Sequence, residues 1–385
     1  MSQHSIPQDV VSLLQSMIQI PSVNSAACGN PTSEKALLEH NQQIAIAMGF
    51  EIRHLPVAGR AGNLLVTHQV NDSNRWLMFE SHLDTVTEQG MTIDPFAGEI
   101  RDHKVWGRGS CDTKGTGAAM LWALHQYKQQ SAKPHNIAIL FAMDEEYGMT
   151  GIRNFVNQHL PTLNMELEGV IVGEPTMCKP IMAHNGCLRV SIQTTGKAVH
   201  SSTPHLGRSA ISDIVRVIDL LESKYIPNLT ATHQMTGKAQ ASINLISGGV
   251  QINIIPDYCE IQMDRRIVPG EDPQQVYDEL HEHLQALPDD ICWKMDCRFS
   301  SPPLPPAGDN RLLEAVQQVL KACDLDTYPL GVPYATDAGD LGSHGIPTLV
   351  LGPGDIAQAH TKDEWIDIDQ LNLGTNVYLK LMQQH

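Results

Sequence analysis

The residues between Asn136 and Gly148 constrain the fold of this chain more than any other stretch. Residues 137–143 form a continuous apolar run of strand length, which is typical of a central strand buried on both faces. Three acids follow it, with no basic, serine or glycine residue among them: Asp144, Glu145 and Glu146. Because adjacent carboxylates repel one another unless cations hold them, the stretch favours a metal or acid/base site over a solvated acidic loop.

Length and charge narrow the class of protein. A chain of 385 residues exceeds one ordinary hydrophobic core, so two domains are expected. The formal net charge of -17 argues against nucleic acid and against an anionic membrane surface as partners. No apolar run is long enough to span a bilayer, and the N-terminal residues lack the basic and apolar segments of a signal peptide.

The eight cysteines are scattered and include no Cys-x-x-Cys pair. This pattern indicates reduced thiols and a cytoplasmic location rather than a disulfide framework. Cys111 is adjacent to a candidate site residue, Asp112, but a spectator role is favoured for it.

Short apolar strands alternate with helices through most of the chain, which favours an α/β fold with a mixed, mostly parallel sheet and helices on both faces. The predicted strands of this part are residues 63–68, 76–79, 137–143, 169–172 and 348–351. Its predicted helices are residues 8–18, 37–48, 115–127, 152–159, 310–323 and 369–382.

From Cys187 the order becomes strand, helix, strand, strand, helix, strand, which matches the split βαβ pattern of a ferredoxin-like α+β sandwich. These elements are predicted at residues 190–195, 209–222, 241–246, 259–267, 273–286 and 291–299. The proline-rich residues 301–306 then form a stiff connector. We therefore predict a catalytic domain in two parts, residues 1–185 and 300–385, with residues 186–299 inserted between them.

Five candidate site residues follow the carboxyl ends of predicted parallel strands, the edge at which open α/β sheets bind ligands. Each has an ordinary surface or core interpretation alone, but their coincidence at one edge indicates a site. They are His82, Glu145, Glu146, Glu174 and His360.

Two further acids belong to this candidate site. Asp84 would share a face with His82 in an extended segment, and a carboxylate beside a metal-bound histidine fixes its tautomer. Asp112 lies in a glycine-flanked turn just before a helix, which suits a ligand that must point into a cleft; an ordinary turn residue is the open alternative. A phosphate-binding loop is disfavoured because Lys114 precedes Gly115 and no hydroxyl residue follows the lysine directly.

Two histidines with three or four carboxylates suit a pair of Zn²⁺ ions, with one carboxylate bridging them. Mn²⁺ or Co²⁺ could replace zinc, since sites built from nitrogen and oxygen ligands do not select strictly.

Four blocks of this sequence resemble the signature blocks of the two-zinc amidohydrolases, the family of acetylornithine deacetylase, succinyl-diaminopimelate desuccinylase, aminoacylase and glutamate carboxypeptidase. They are Phe-Glu-Ser-His-Leu-Asp-Thr-Val from Phe79, Gly-Arg-Gly-Ser-Cys-Asp-Thr-Lys-Gly from Gly107, Asp-Glu-Glu from Asp144 and Val-Gly-Glu-Pro-Thr from Val172. A fifth block, from Leu351 through Glu364, looks most like acetylornithine deacetylase. The resemblance covers nearly the whole chain in order.

The resemblance implies specific roles in a site with two Zn²⁺ ions per subunit. His82 and Glu174 would bind one ion, Glu146 and His360 the other, and Asp112 would bridge them. Asp84 would orient His82, and Glu145 would be the general base for a metal-bridging water. The peptide bond between Asp112 and Thr113 is expected to be cis.

For the inserted domain, the resemblance implies a lid that also forms a homodimer. His200 would reach the active site of the partner subunit and donate to the oxyanion, with a capping or surface role as the alternative. Asn253 and Arg266 would lie over the substrate, where Arg266 could grip a carboxylate; a salt bridge within the lid is the competing role. Tyr334 lies in a loop that departs from the deacetylase and desuccinylase versions, which leaves the acyl group and side chain open.

The function implied is hydrolysis of the amide bond of an N-acyl amino acid, first of all N-acetyl-L-ornithine, in arginine biosynthesis. A small-molecule substrate, and neither nucleic acid nor membrane, is the expected partner. A desuccinylase, an aminoacylase or a dipeptidase with the same metals is the alternative. A non-catalytic amino-acid-binding protein would require loss of the base or of ligands, and all of them are present.

Overall fold

The computed structural model describes residues 6–384, which form two compact units. The first unit takes the chain to Met182 and also contains Pro306–Leu330 and the residues from Asp340 onward. The second contains Ala183–Pro305 and Gly331–Gly339. The return of Gly331–Gly339 to the second unit, which brings Tyr334 with it, is a feature that the sequence pattern does not reveal.

The strands, in chain order, are β1 (Glu51–Leu55), β2 (Asn63–His68), β3 (Arg75–His82), β4 (Glu99–Arg101), β5 (Lys104–Trp106), β6 (Asn136–Ala142), β7 (Glu166–Val172), β8 (Ile181–His184), β9 (Gly186–Thr195), β10 (Val199–His200), β11 (Thr232–His233), β12 (Gly237–Lys238), β13 (Gln240–Gly248), β14 (Ile254–Ile255), β15 (Tyr258–Ile267), β16 (Cys292–Ser301), β17 (Leu330–Val332), β18 (Thr348–Val350) and β19 (Trp365–Asp367).

The α-helices are α1 (Val10–Ile18), α2 (Ser25–Cys28), α3 (Lys35–Ala47), α4 (Lys114–Lys128), α5 (Thr150–Asn154), α6 (Ala210–Leu220), α7 (Pro273–Leu284), α8 (Arg311–Ala322), α9 (Ala338–Ser343) and α10 (Ile368–Gln383). Helices α5 and α6 continue into π-helical turns at Phe155–His159 and Leu221–Tyr225. Short 3₁₀ turns lie at Leu160–Thr162, Pro204–Leu206, Ile226–Asn228 and Ile356–Gln358.

The main sheet has eight strands in the order β1-β2-β6-β3-β7-β18-β8-β17. Its four central strands, β6, β3, β7 and β18, run parallel, whereas β1, β2 and β8 pair antiparallel at the flanks. The predicted mixed α/β sheet is therefore confirmed. The flanking strand β1 was not predicted, because its Glu-Ile-Arg-His-Leu sequence is only weakly apolar.

Burial on both faces explains why the central strands form continuous apolar runs. All seven residues of β6 are buried, as expected from residues 137–143. Phe79 and Ile139 join the core that includes α1, α3, α4, α8 and α10, while Met78 and Leu140 point to the opposite face and are also fully buried. Each fully buried Leu, Ile or Phe side chain stabilises the fold by about 1.5–3 kcal/mol relative to leaving it exposed.

In the second unit, a four-stranded antiparallel sheet has the order β13-β15-β9-β16. The chain enters it as β9, α6, β13, β15, α7 and β16, which confirms the predicted split βαβ order. Ile192, Ile261, Ile214 and Leu280 form its core, so both helices pack on one face of the sheet.

Across residues 6–384, the helices are all too short or too polar to cross a membrane.

Glu34 provides a test of how this fold responds to pH. It is fully buried, and its Oε1 has no hydrogen-bond partner. Burial, reinforced by the charge of Asp84, raises the pKa of Glu34 from its ordinary value of 4.5 to about 7. Between these two values the folded protein keeps a proton that the unfolded chain has released, so the free energy of unfolding falls as pH rises through this window.

We therefore expect Glu34→Gln to raise the free energy of unfolding at pH 8, by at most about 3 kcal/mol, and to leave it unchanged at pH 4. Urea denaturation at both pH values measures this. Glu39→Gln, at an exposed pair with Lys35, is the matched control and should change little. Equal pH dependence of native protein and Glu34→Gln would contradict the expectation.

Candidate active site

The four parallel strands deliver the candidate side chains to one edge of the sheet. Residue His82 is the last of β3, and it lies opposite Ala142 at the end of β6. Glu80 of β3 pairs with Val172, the last residue of β7, and His82 and Glu174 each follow this pair by two residues along the chain. Glu145 and Glu146 follow β6 by a few residues, and His360 follows β18 through a longer loop.

Asp112 lies between the two histidines. Its Oδ1 is 3.2 Å from Nε2 of His82, and its Oδ2 is 3.3 Å from Nε2 of His360. The peptide bond from Asp112 to Thr113 is cis, as expected. Gly109, in the same turn, has a φ of +83°, a conformation that favours glycine. One carboxylate thus faces two imidazoles that come from opposite ends of the sequence.

The glutamates complete the cluster. Oε2 of Glu146 is 3.0 Å from Nε2 of His360, whereas its Oε1 is buried without a hydrogen-bond partner. Two groups of side chains have ligand atoms within 4.8 Å of one another: His82 with Asp112 and Glu146, and His82 with Glu145 and Glu174. An unpaired buried carboxylate oxygen among imidazole nitrogens fits a divalent cation that takes nitrogen and oxygen ligands, such as Zn²⁺, Mn²⁺ or Co²⁺.

The electrostatics of the cluster favour cations as well. Burial raises the pKa of Glu174 well above its ordinary value, and the charge of Asp112 adds to this. Hydrogen bonds to Asp112, the larger effect, and to Glu146 raise the pKa of His360 to about 11. Burial alone would raise the pKa of Asp112, but hydrogen bonds from His360 and His82 lower it below its ordinary value. A divalent cation among these side chains would favour the ionised carboxylates that burial disfavours.

Asp84 contacts His82 through an atom that the sequence does not reveal. Nδ1 of His82 lies 2.9 Å from the backbone carbonyl of Asp84, while the nearer carboxylate oxygen is 3.7 Å away. The Asp84 carboxylate instead accepts hydrogen bonds from the backbone N–H groups of Glu145 (2.9 Å) and Glu146 (3.1 Å). One residue thus orients a histidine with its main chain and the acidic turn with its side chain.

Asn24 is a site-supporting residue that sequence reasoning missed. Its Nδ2 donates to Asp84 (2.6 Å) and to Asp144 (2.9 Å), and both acids are buried. Asp144 also accepts from Thr150 and pairs with Arg60 at 2.9 Å, and it has a φ of +63°. This network supports the turn from behind. The sequence around Asn24 contains no motif that would have identified it.

In the second unit, His200 and Asn253 lie close together. His200 of β10 pairs with Ile254 of β14, and the backbone carbonyl of Asn253 accepts from Ser201. Both residues are exposed. The backbone N–H of Ser202 donates to Nδ1 of His200 at 3.2 Å. Oγ of Ser202 also lies 2.7 Å from Nδ1, so Ser202 contacts this ring nitrogen through both its main chain and its side chain.

Arg266 and Tyr334 also belong to the second unit. The guanidinium of Arg266 pairs with Asp264 at 2.9 Å, the salt bridge that was its competing role. Tyr334 is half-buried. Their roles toward a substrate remain predictions.

Comparison with known proteins identifies relatives of the whole chain. A model described as peptidase family M20/M25/M40 matches residues 78–384. An acetylornithine deacetylase of Buchnera aphidicola subsp. Schizaphis graminum is 30% identical over 384 residues, covering 97% of each chain. An acetylornithine deacetylase of Proteus mirabilis is 30% identical over 370 residues, covering 93% of this chain and 92% of the relative.

Solved structures share the fold at lower identity. An M20 family metallo-carboxypeptidase from Sulfolobus solfataricus has a TM-score of 0.78 and 16% identity, with 98% of this chain and 99% of that chain covered. A Bacillus subtilis protein described as a dinuclear metal binding peptidase from the M20 family has a TM-score of 0.69 and 13% identity, with 97% and 96% covered. These likenesses establish the fold.

The position of Asp112 between both histidines generates a prediction about metal binding. We expect the chelator-treated native chain to bind two divalent cations, and Asp112→Ala to lose at least one of them. Its affinity for the remaining cation should fall more than about 100-fold, beyond the usual loss for a supporting residue. Calorimetric titration with Zn²⁺ and metal analysis of the dialysed protein measure both quantities.

Asp72→Asn, at an exposed turn, is the control and should bind as the native chain does. Asp112→Ala that is folded by circular dichroism and still binds two cations with native affinity would contradict the prediction.

Proposed function

The chain belongs to peptidase family M20/M25/M40 and is a metal-dependent hydrolase, and from this premise we propose that it hydrolyses the amide bond of N-acetyl-L-ornithine. The acetylornithine deacetylases of Buchnera and Proteus, which align with nearly the whole chain, support this substrate. The products are acetate and L-ornithine.

One observation carries the proposal: the Asp112 carboxylate faces two imidazoles, and Glu145 lies beside His82 and Glu174 at the same edge. In the proposed assignment two side chains would hold each metal, and Asp112 would contribute to both sites. The ligand sets are His82 with Glu174, and Glu146 with His360. Zinc is the proposed metal, and Co²⁺ or Mn²⁺ would fit the same donors.

Bound metals would supply Lewis acidity toward water and toward the carbonyl oxygen of the substrate. The chain itself must move the proton. Glu145 is the proposed general base: its carboxylate takes a proton from the attacking water and returns it to the nitrogen of the leaving amine. The backbone hydrogen bonds from Glu145 and Glu146 to Asp84 support this role, because they fix the turn that carries the base.

His200 is the proposed donor to the oxygen that becomes negative as water adds to the carbonyl. The contacts of the ring support this: Ser202 engages Nδ1, so a proton on Nε2 would be the donor that such an oxygen needs. We propose that His200 acts in the active site of a partner subunit, with residues 186–299 as the lid and dimerisation domain.

Exposed apolar residues of the second unit support a homodimer. Strand β13 is at the edge of its sheet, and Leu245 and Ile246 are each 60% exposed. Ile211 and Val215, one turn apart on α6, are also exposed. An exposed edge strand with apolar side chains is a template for pairing with another chain.

Arg266 and Asn253 are the proposed contacts to the amino-acid part of the substrate. A guanidinium can bind the α-carboxylate through two hydrogen bonds. Tyr334 is proposed to contact the acyl group or the ornithine side chain.

Replacing the proposed base tests the reaction. We expect Glu145→Gln to lower kcat for N-acetyl-L-ornithine at least about 100-fold, since the amide cannot accept the water proton, while metal content stays native. Acetate release measured by an enzyme-coupled assay and metal analysis of the same sample separate the two effects. Glu314→Gln, an exposed glutamate on α8, is the control.

The same assay on N-succinyl-diaminopimelate, N-acetyl-L-methionine and dipeptides tests the substrate. If the native, metal-loaded protein hydrolyses one of these compounds faster than N-acetyl-L-ornithine, that compound replaces N-acetyl-L-ornithine as the proposed substrate. Full kcat in Glu145→Gln would remove Glu145 as the base.

Subunit mixing tests the proposed role of His200. Homodimers of Glu145→Ala and of His200→Ala should each be inactive. After subunit exchange, a heterodimer has one site with native Glu145 from one chain and native His200 from the other, so activity should return. Exchange demonstrated by mass-tagged subunits without any returning activity would count against a role in the partner's site.

A further inference from the structure

Glu364 is a fully buried carboxylate for which the proposed reaction has no use. Its Oε1 accepts hydrogen bonds from the backbone N–H groups of Cys111 (2.8 Å) and Asp112 (2.9 Å). Its Oε2 accepts from the backbone N–H of Gly109 (2.9 Å) and from Nη1 of Arg108 (2.8 Å). Both oxygens are therefore satisfied, and all four donors come from the turn that carries Asp112.

The main chain around Glu364 reinforces the connection. The carbonyl of Glu364 accepts from the backbone N–H of Gly107 at 3.0 Å, and the carbonyl of Thr361 accepts from Nη2 of Arg108 at 3.1 Å. His360 directly precedes this segment, and its Nε2 lies 3.3 Å from Oδ2 of Asp112. Two segments some 250 residues apart in sequence, each with one candidate metal ligand, are thus joined along their length.

A carboxylate suits the position of Glu364 better than the amide of glutamine, which has the same shape. An ionised carboxylate accepts at both oxygens, whereas a glutamine accepts at one and presents an N–H₂ group to the other pair of donors. Hydrogen bonds to a charged acceptor are also stronger than neutral ones. Removing one partner of such a buried set leaves donors unsatisfied, which destabilises the arrangement.

We propose that Glu364 is a positioning residue of the metal centre: it fixes the turn of Asp112 relative to His360 and thereby sets the affinity for metal. This inference rests on the proposed roles of Asp112 and His360 as ligands. All four donors to the side chain of Glu364 lie in the five residues that end at Asp112, so the carboxylate acts on the main chain that leads directly to this ligand.

The test compares Glu364→Gln with the native chain after treatment with a chelator. Calorimetric titration with Co²⁺ gives the affinity, and the visible absorption of bound Co²⁺ reports the ligand geometry. We expect an affinity about 10–100-fold lower, the range for residues that orient ligands, together with an altered Co²⁺ spectrum. Glu364→Asp, which keeps two acceptor oxygens, should recover part of the affinity.

Asp340→Asn is the matched control, because Asp340 is also buried, pairs with Arg153 at 3.3 Å and lies in the same unit. Both variants should lower the melting temperature of the metal-free chain. Only Glu364→Gln should change the Co²⁺ affinity and spectrum.

Native affinity and a native spectrum in Glu364→Gln would overturn the inference and show that Glu364 only stabilises the fold. If that variant does not fold, Arg108→Gln takes its place, with a severalfold loss of Co²⁺ affinity expected and an unchanged affinity contradicting the inference. Native chain that binds no Co²⁺ at all would instead overturn the proposed function.

Discussion

The contact on which the site depends is that of the Asp112 carboxylate with the imidazoles of His82 and His360. It brings together the end of β3, the turn before α4 and the loop after β18. Such a cluster is electrostatically unfavourable by itself, because Glu146 and Glu174 are also largely buried beside it and burial raises the pKa of both. Divalent cations would offset this charge, and contacts outside the cluster hold the acids in place.

The sheet supplies much of that energy. Strands β3, β6 and β7 are buried along most of their length, and their parallel register fixes the level at which each ends. The polar contacts around the cluster come from residues outside it: Asp84 and Asn24 hold the acidic turn, and Glu364 holds the turn of Asp112. The ligands are thus supported by Asp84, Asn24 and Glu364, whose side-chain oxygens already accept hydrogen bonds from the protein.

The difference between the ligands, which follow the central strands, and the residues that support them explains what could be predicted from the sequence. The apolar runs of the central strands, and the histidine and acids that follow them, are local signals, and they located both the sheet and the cluster. Asn24 left no such signal, and Glu364 stood in the block from Leu351 without a role. Their partners lie 60 to about 250 residues away, so no local pattern shows which groups they bind. The actual contact of Asp84 was missed for a related reason: spacing alone does not distinguish a backbone carbonyl from a carboxylate.

Charge balance in the second unit gives the proposed recognition of a carboxylate a physical basis. Asp264 pairs with Arg266 at 2.9 Å and with Arg189 at 3.2 Å. Two guanidinium groups against one carboxylate leave one positive charge among these three side chains. The existing pair with Asp264 therefore orients Arg266 without neutralising the group, and an anionic substrate group would complete the charge balance, whereas a neutral one would not. An N-acyl amino acid, with its free α-carboxylate, meets this requirement, whereas an amide lacking a carboxylate does not.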